Sequence, residues 1–243
     1  MDWELIYLIS GLAILPVLLI AIIISINVQV QMAKYAKVTA SGNLTAKQLV
    51  EQIAAEHHLE IRVETASSSQ GDHYDPRSKC VRLTDEIINS NSVTALAVAA
   101  HECGHALQDA QNYLPLKIRN VVIHVSNFAS RLLTPLIILS VIASLFTMTM
   151  AGYEFMQWLL LGFCITYGLS ALVSFITLPT EFDASRRGAK MLKEMNLVES
   201  KEEQRGVRKV LTAAANTYVV AFAMSLIYFL RFLSIFVLSN RRK

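Results

Sequence analysis

The sequence predicts a mainly α-helical integral membrane protein, with about four transmembrane helices and a small α+β domain at the membrane surface. Only 17% of its 243 residues are charged, whereas soluble domains usually carry about 25%. The mean hydropathy is correspondingly high, at +0.43. Four runs contain no charged residue, and each reaches the roughly 20 residues that a helix needs to cross a bilayer. They are residues 5–33, 132–153, 155–180 and 210–230.

These uncharged runs divide the chain into segments. The first run follows the acidic leader "MDWE", which predicts a permanent anchor rather than a cleaved signal peptide. Only "AGYE" joins the second run to the third, so we expect a helical hairpin that turns there. The predicted segments are an anchor (1–33), a polar α+β region with an interfacial segment (34–131), a transmembrane hairpin (132–180), a helical polar segment (181–209) and a last transmembrane helix with a basic tail (210–243).

The polar region 34–131 reads as helix, strand, strand and helix. "NLTAKQLVEQIAAEHHL" has apolar residues at helical spacing and Thr45 as an N-cap, and "NSNSVTALAVAAHECGHALQDAQ" is helical again. Between them, "EIRVETA" and "KCVRLT" alternate as strands do, on either side of a turn-rich stretch. We expect "KCVRLT" to be an exposed edge strand, and "LPLKIRNVVIHVSNFASR" to be an amphipathic interfacial helix.

The second of these helices contains the motif HExxH. His101 and His105 are four residues apart and therefore share one face, with Glu102 at the flank. In this motif two imidazoles bind zinc and the glutamate removes a proton from water. Gly104 costs about 1 kcal/mol relative to alanine within a helix, which indicates close approach of a substrate or a neighbouring element. Cys103 is two residues after His101 and should point away from the shared face.

A third ligand must come from elsewhere, because positions 108 and 111 are glutamines rather than a glycine and a histidine. His124 is a candidate, although it lies in the amphipathic segment. Glu181 is the better candidate, since a carboxylate at the end of an apolar run is costly unless it is paired or has a functional role. Pro179 is expected to stand at the start of a new helix. The alternative for Glu181 is a first-turn glutamate favoured by the helix dipole.

Three stretches, "HECGHALQ", "GDHYDP" and "LPTEFDASRRGAKML", closely resemble the YugP-type neutral zinc metallopeptidases of bacterial membranes. More distantly, the architecture resembles the CAAX-prenyl and heat-shock membrane metalloproteases, which share a zincin core. The resemblance implies Zn²⁺ held by His101, His105 and Glu181, with Glu102 as general base. In the distant relatives an aspartate four residues after the ligand glutamate supports a zinc histidine. Ser185 stands there in this chain, which leaves the supporting residue open.

The resulting hypothesis is a zinc metalloendopeptidase acting on a peptide or membrane-protein substrate. Glu102 would take a proton from the attacking water and pass it to the leaving amine. The oxyanion needs a further donor; Tyr218 is ranked first, and the other candidates are His73, Tyr74, Arg186 and Arg187. The alternative is a non-catalytic, zinc-stabilised membrane scaffold that binds partners. A structural zinc site usually has four protein ligands and much cysteine, so the motif favours catalysis.

Charge distribution predicts the orientation in the bilayer. By the positive-inside rule, the catalytic side is expected to be cytosolic, in a multi-pass protein of the bacterial inner membrane. The final "NRRK" then falls on the other side unless Arg231 marks a bend. No aromatic-interleaved basic face is seen, so no nucleic-acid partner is expected, and three unevenly spaced cysteines do not suit a disulfide framework. The basic residues on the predicted cytosolic side are Lys34, Lys37, Lys117, Arg119, Arg131, Arg186, Arg187, Lys190 and Lys193.

Overall fold

The chain is mainly helical, with one small sheet. A computed structural model describes residues 2–67, 69–145 and 150–241, and of residues 124–126, 129–130, 144 and 150–153 the backbone alone. The elements are α1 (Trp3–Tyr35), α2 (Ala46–Glu56), β1 (Arg62–Thr65), β2 (His73–Asp75), β3 (Cys80–Leu83), α3 (Asp85–Ile88), α4 (Val93–Ala110), α5 (Leu114–Ser144), α6 (Met150–Glu194) and α7 (Lys201–Asn240).

Three helices are long and apolar enough to cross a membrane within the described ranges: α1, the Glu154–Glu194 part of α6, and α7. The second uncharged run begins in α5, whose apolar part Arg131–Ala143 is shorter, so a fourth transmembrane helix stays a prediction. The expected hairpin turn at "AGYE" is wrong, because residues 151–154 belong to α6. Glu154 separates the second uncharged run from the third, but glutamate is a good helix former and does not interrupt α6.

Several helices continue where the sequence predicted an interruption. The amphipathic segment and residue 132 are parts of the single helix α5. Helix α6 passes through Pro179, so the new helix expected there is wrong, and α7 passes through Arg231 to Asn240 without ending. Proline removes one backbone hydrogen bond, and membrane-type helices tolerate this where neighbouring groups compensate.

The sheet has the strand order β1-β3-β2. Strand β3 pairs in parallel with β1, and antiparallel with β2, where Val81 lies opposite Tyr74. The predicted exposed edge at "KCVRLT" is therefore wrong, since β3 is the central strand and its residues Val81 and Leu83 are fully buried. The edge strand β2 comes from "GDHYDP", which was expected to be a turn. Three of its residues pair with β3 and therefore form a strand.

Contacts divide the chain into two compact units. The first consists of residues 1–22, 119–176 and 218–243. In this unit, α6 and α7 pack through aromatic rings, with Phe163 stacked on Phe232 at a centroid distance of 4.6 Å. Helix α7 contacts α1 where an Nη1 donor of Arg231 lies 2.7 Å from the carbonyl oxygen of Tyr7. One hydrogen-bond donor of the Arg231 guanidinium is thus satisfied by a backbone carbonyl within this unit.

The second unit consists of residues 23–118 and 177–217, and it contains the main hydrophobic core. As predicted, Thr45 caps α2, in a capping box with Gln48. The apolar face of α2 packs on α4, and the sheet packs beside both helices. The largest fully buried apolar side chains of this core are Tyr35, Leu49, Ile53, Leu83, Leu96 and Leu192. This packing holds α4 in place from one side.

Candidate metal centre

Helix α4 has an apolar face and a polar face. The apolar face packs in the core of the second unit, and the histidines lie on the polar face. Ser92 caps its first turn by accepting a hydrogen bond from the Ala95 N–H at 3.2 Å. Leu96 and Cys103 are fully buried in the core. Burial raises the pKa of the Cys103 thiol, which therefore stays protonated. The prediction that Cys103 points away from the histidines is confirmed.

Helices α4 and α6 cross at very short range. A methyl group added at Gly104 of α4 would lie 2.5 Å from the carbonyl oxygen of Ala184 in α6. Likewise, a methyl group at Gly188 of α6 would lie 2.8 Å from the carbonyl oxygen of Ala100. Glycine at both positions allows backbone to approach backbone. The expectation that Gly104 permits close approach of a neighbouring element is confirmed.

This crossing brings Glu181 of α6 to the two histidines of α4. Its Oε2 atom lies 3.3 Å from Nε2 of His101 and 3.7 Å from Nε2 of His105. The three candidate ligand atoms all lie within 4.8 Å of one another. Glu181 is 1% exposed, His105 is buried and His101 is partly buried. Residues from two distant parts of the chain therefore form one largely buried group of nitrogen and oxygen donors.

The ring of His105 is held by Gln108, which is completely buried. Oε1 of Gln108 lies 3.0 Å from Nδ1 of His105, while its Nε2 donates to the carbonyl oxygen of Thr180 at 2.9 Å and to Asp183 at 3.0 Å. Two acceptors around Nε2 leave Oε1 as the acceptor for the Nδ1 proton. The Nε2 atom of His105 is then unprotonated and can act as a ligand.

The ring of His101 has a different support. Its Nδ1 lies 3.2 Å from Oγ of Ser185, so the serine does occupy the supporting position of the aspartate in the distant relatives. Asp183 accepts a hydrogen bond from Gln108, which in turn contacts His105. It is also ion-paired with Arg186 and Arg187. Sequence reasoning missed Gln108, because position 108 was compared only with the glycine of the HExxHxxGxxH pattern. Its spacing of three residues from His105 was the available signal.

Glu102 lies beside this group and contacts the sheet. It is 8% exposed, and its Oε2 accepts a hydrogen bond from the backbone N–H of Tyr74 in β2 at 2.8 Å. The phenol of Tyr74 donates to Asp109 of α4 at 2.8 Å, and Lys79 is ion-paired with the same carboxylate. Burial and the neighbouring Asp109 raise the pKa of Tyr74, which stays neutral. The β2–β3 hairpin is thus tied to α4 at two points.

Known proteins resemble this chain over most of its length. A family described as "Putative neutral zinc metallopeptidase" matches residues 10–237. The chain belongs to this family. It is 38% identical over 212 residues to the "Putative membrane protease YugP" of Bacillus subtilis (strain 168), which covers 84% of this chain and 86% of that protein. No solved structure matches the chain.

Membership of the neutral zinc metallopeptidase family confirms zinc as the cofactor. The donor set fits this metal, because two imidazole nitrogens and one carboxylate are the ligands of many catalytic zinc sites. The burial fits as well: a nearly inaccessible carboxylate beside two aromatic nitrogens is costly unless a cation compensates it. Within the described part of the chain, these three residues are the group that could hold the metal.

The remaining predicted site residues have the following positions. Tyr218 lies in α7 and is partly exposed, and its role as oxyanion donor stays a prediction. Nδ1 of His73 lies 3.0 Å from the carbonyl oxygen of Gly71. The charge of Arg187 is engaged by Asp183, and its Nη1 also donates to Gln111 at 2.6 Å. The side chain of His124 lies outside the described residues.

Proposed function

We propose that this protein is a membrane-embedded zinc metalloendopeptidase that hydrolyses peptide bonds near the cytosolic surface of the bacterial inner membrane. The observation that carries the proposal is the placement of Glu181 against both histidines of HExxH, with Glu102 intact beside them. Zinc held by these three protein donors would keep one coordination position open, as in catalytic zinc sites. A closed structural site would use a fourth protein ligand.

His101, His105 and Glu181 would hold the metal, with Ser185 and Gln108 fixing the two rings. When bound, zinc supplies Lewis acidity to a water molecule and to the peptide carbonyl. Glu102 takes the proton from the attacking water and delivers it to the amine nitrogen as the peptide bond breaks. The N–H of Tyr74 holds one oxygen of Glu102, so the other oxygen is available for this proton. Tyr218 is the proposed donor to the oxyanion.

The edge of β2 is the proposed binding place for an extended peptide or membrane-protein segment. Tyr74 uses its N–H for Glu102 rather than for β3, so its backbone groups face away from the β3 partner strand. Its carbonyl oxygen can then accept a hydrogen bond from a substrate N–H, as in β-strand addition. Because the N–H of the same residue contacts Glu102, a strand added here would pass the proposed catalytic base.

The membrane-surface location rests on the position of Glu181 in α6. It directly follows the uncharged residues 155–180, so it lies within about one helical turn, roughly 5 Å, of the end of the apolar part. The lipid bilayer is therefore a proposed partner, and substrates near the interface are the proposed targets. The basic residues that flank the apolar runs support a cytosolic site by the positive-inside rule.

The direct test is the Glu102→Gln variant. It should retain zinc but lose peptide hydrolysis by at least about 10²-fold, because it lacks the general base. Glu56→Gln, which changes an exposed carboxylate at the end of α2, is the matched control and should behave as wild type. Comparable turnover by wild type and Glu102→Gln, with contaminating protease excluded, would support the zinc-stabilised scaffold and defeat the peptidase proposal.

A further inference from the structure

A groove of about 290 Å³ lies between α6 and α7 within the second unit. It is lined on each helix by residues spaced at i, i+3, i+4 and i+7, which form one continuous face. We call it the α6–α7 groove. Its lining includes two cations and four apolar side chains: Arg186, Arg208, Phe182, Ala189, Leu211 and Ala215.

Phe182 on α6 and Ala215 on α7 lie nearer to the uncharged runs than the two cations of the α6–α7 groove do. On α6, the direction from Arg186 to Phe182 leads toward the uncharged residues 155–180. On α7, the direction from Arg208 to Ala215 leads into the uncharged residues 210–230. At a rise of about 1.5 Å per residue, the charged end is separated from the apolar end by roughly 6 to 10 Å. The groove is therefore amphipathic along the axes of its two helices.

Arg208 provides the available positive charge. Arg186 is ion-paired with Asp183, whereas Arg208 is exposed, and among the described residues no carboxylate forms a salt bridge with it. A guanidinium has a planar set of donors that matches a phosphate group well. An apolar surface such as that of Phe182, which is 45% exposed, suits a hydrocarbon chain.

We infer that the α6–α7 groove binds an anionic phospholipid, with its phosphate at Arg208 and Arg186 and an acyl chain along Phe182, Leu211 and Ala215. A peptide carboxylate would use the cations but has no need of an apolar path that leads toward the membrane-spanning runs. Clusters of basic residues beside membrane helices select anionic lipids by their surface charge. The groove is also lined by Ser185, which supports His101, so the lipid lies next to the metal centre.

The test uses the full-length protein in nanodiscs that contain equal amounts of phosphatidylglycerol and phosphatidylcholine. Native mass spectrometry after release from the nanodisc measures which lipid is retained. Wild type should retain phosphatidylglycerol preferentially, and Arg208→Gln should reduce this preference about five-fold, the scale of one basic residue at a lipid surface. Lys209→Gln removes the same charge from the next residue of α7, outside the groove lining, and should leave the preference unchanged.

A second variant tests the groove itself. Thr212→Trp fills it from an exposed position of α7 without a change in charge, and it should lower lipid retention while zinc content stays at the wild-type level. Equal retention of both lipids by wild type, or equal losses in Arg208→Gln and Lys209→Gln, would overturn the inference. It would also be overturned if Arg208→Gln kept the lipid but selectively lost cleavage of acidic peptides. The lipid readout does not depend on peptidase activity.

Discussion

Oε1 of Gln108 and Nδ1 of His105 lie 3.0 Å apart in the buried interior of the second unit. This contact orients the imidazole with Nε2 facing Glu181. Because Gln108 also donates to the Thr180 carbonyl and to Asp183, its amide cannot turn without losing hydrogen bonds. One glutamine thus couples the ring orientation of His105, a candidate metal ligand on α4, to the backbone of α6.

Replacement of Gln108 by alanine should weaken zinc binding by about 10- to 100-fold, the usual effect of losing a residue that orients a metal ligand. Competition with a chromophoric chelator would measure the affinity. Gln52→Ala removes an exposed amide from α2 and should bind zinc as wild type does. Equal affinities in all three proteins would remove Gln108 from this role.

Gly104→Ala should separate α4 from α6, since the added methyl group would meet the Ala184 carbonyl oxygen at 2.5 Å. We expect a loss of about 1–3 kcal/mol in the free energy of unfolding, as for other overpacked sites, together with reduced zinc content. Thermal unfolding and metal analysis would measure both. Ala110→Leu enlarges an exposed residue of the same helix and serves as the control. Unchanged stability and zinc content in Gly104→Ala would contradict the crossing.

Purified protein should contain about one zinc per chain, because one three-ligand site is proposed. His105→Ala and Glu181→Ala should each deplete the metal, as measured by elemental analysis. His57→Ala, which removes an exposed histidine at the end of α2, should not. Full zinc occupancy in Glu181→Ala would exclude this residue as the third ligand.

Asp75 should give the β2–β3 hairpin a pH-dependent stability. A hydrogen bond from Ser78 and another from Arg82 hold the pKa of Asp75 well below its ordinary value of 3.8. A lowered pKa means that the stabilisation is present above the ordinary pKa and is lost as the pH falls through the lower, folded-state value. The difference in thermal stability between metal-free wild type and Asp75→Asn should therefore be constant above about pH 5 and shrink below about pH 4. A constant difference down to pH 2 would contradict this assignment.

Single cysteines at Ser69 and Ser90, in a background without Cys80, Cys103 and Cys164, should report the side of the membrane. If the second unit is cytosolic, an impermeant thiol reagent should not label them in intact cells and should label them once the membrane is opened. A cysteine at Ser69 is the stronger reporter because Ser69 is exposed. Labelling in intact cells would place the second unit outside.

Local patterns in the sequence were sufficient for much of the site. The spacing of His101 and His105 defines a shared helical face regardless of the rest of the fold, and the charge of Glu181 after a long apolar run marked it as a residue with a partner. The zinc cofactor follows from these same residues, whereas the family resemblance rests on three longer stretches, two of which contain them. The distance between α4 and α6 was also partly predictable, because Gly104 carries a conformational cost that only close packing justifies.

The parts that sequence reasoning missed depend on contacts between distant residues. Strand β2 has three residues, too few for an alternating pattern, and it exists because Tyr74 contacts both β3 and α4. Helix α6 continues through Pro179 because its surroundings outweigh the usual effect of proline. The role of Gln108 depends on where Thr180 and Asp183 lie, which no local pattern in α4 can show.

The hydrogen bond from Tyr74 to Glu102 determines which substitutions position 74 can accept. Its donor is a peptide N–H, which every amino acid except proline provides. Substitutions at position 74 that remove the phenol and its bond to Asp109 would leave the main-chain donor in place. Two homologues can therefore differ in the residue at this position and still hold the glutamate in the same way. Mutational scanning should therefore detect the loss of this contact only in the proline variant, because the path of the backbone, and not the side chain, supports the proposed catalytic base.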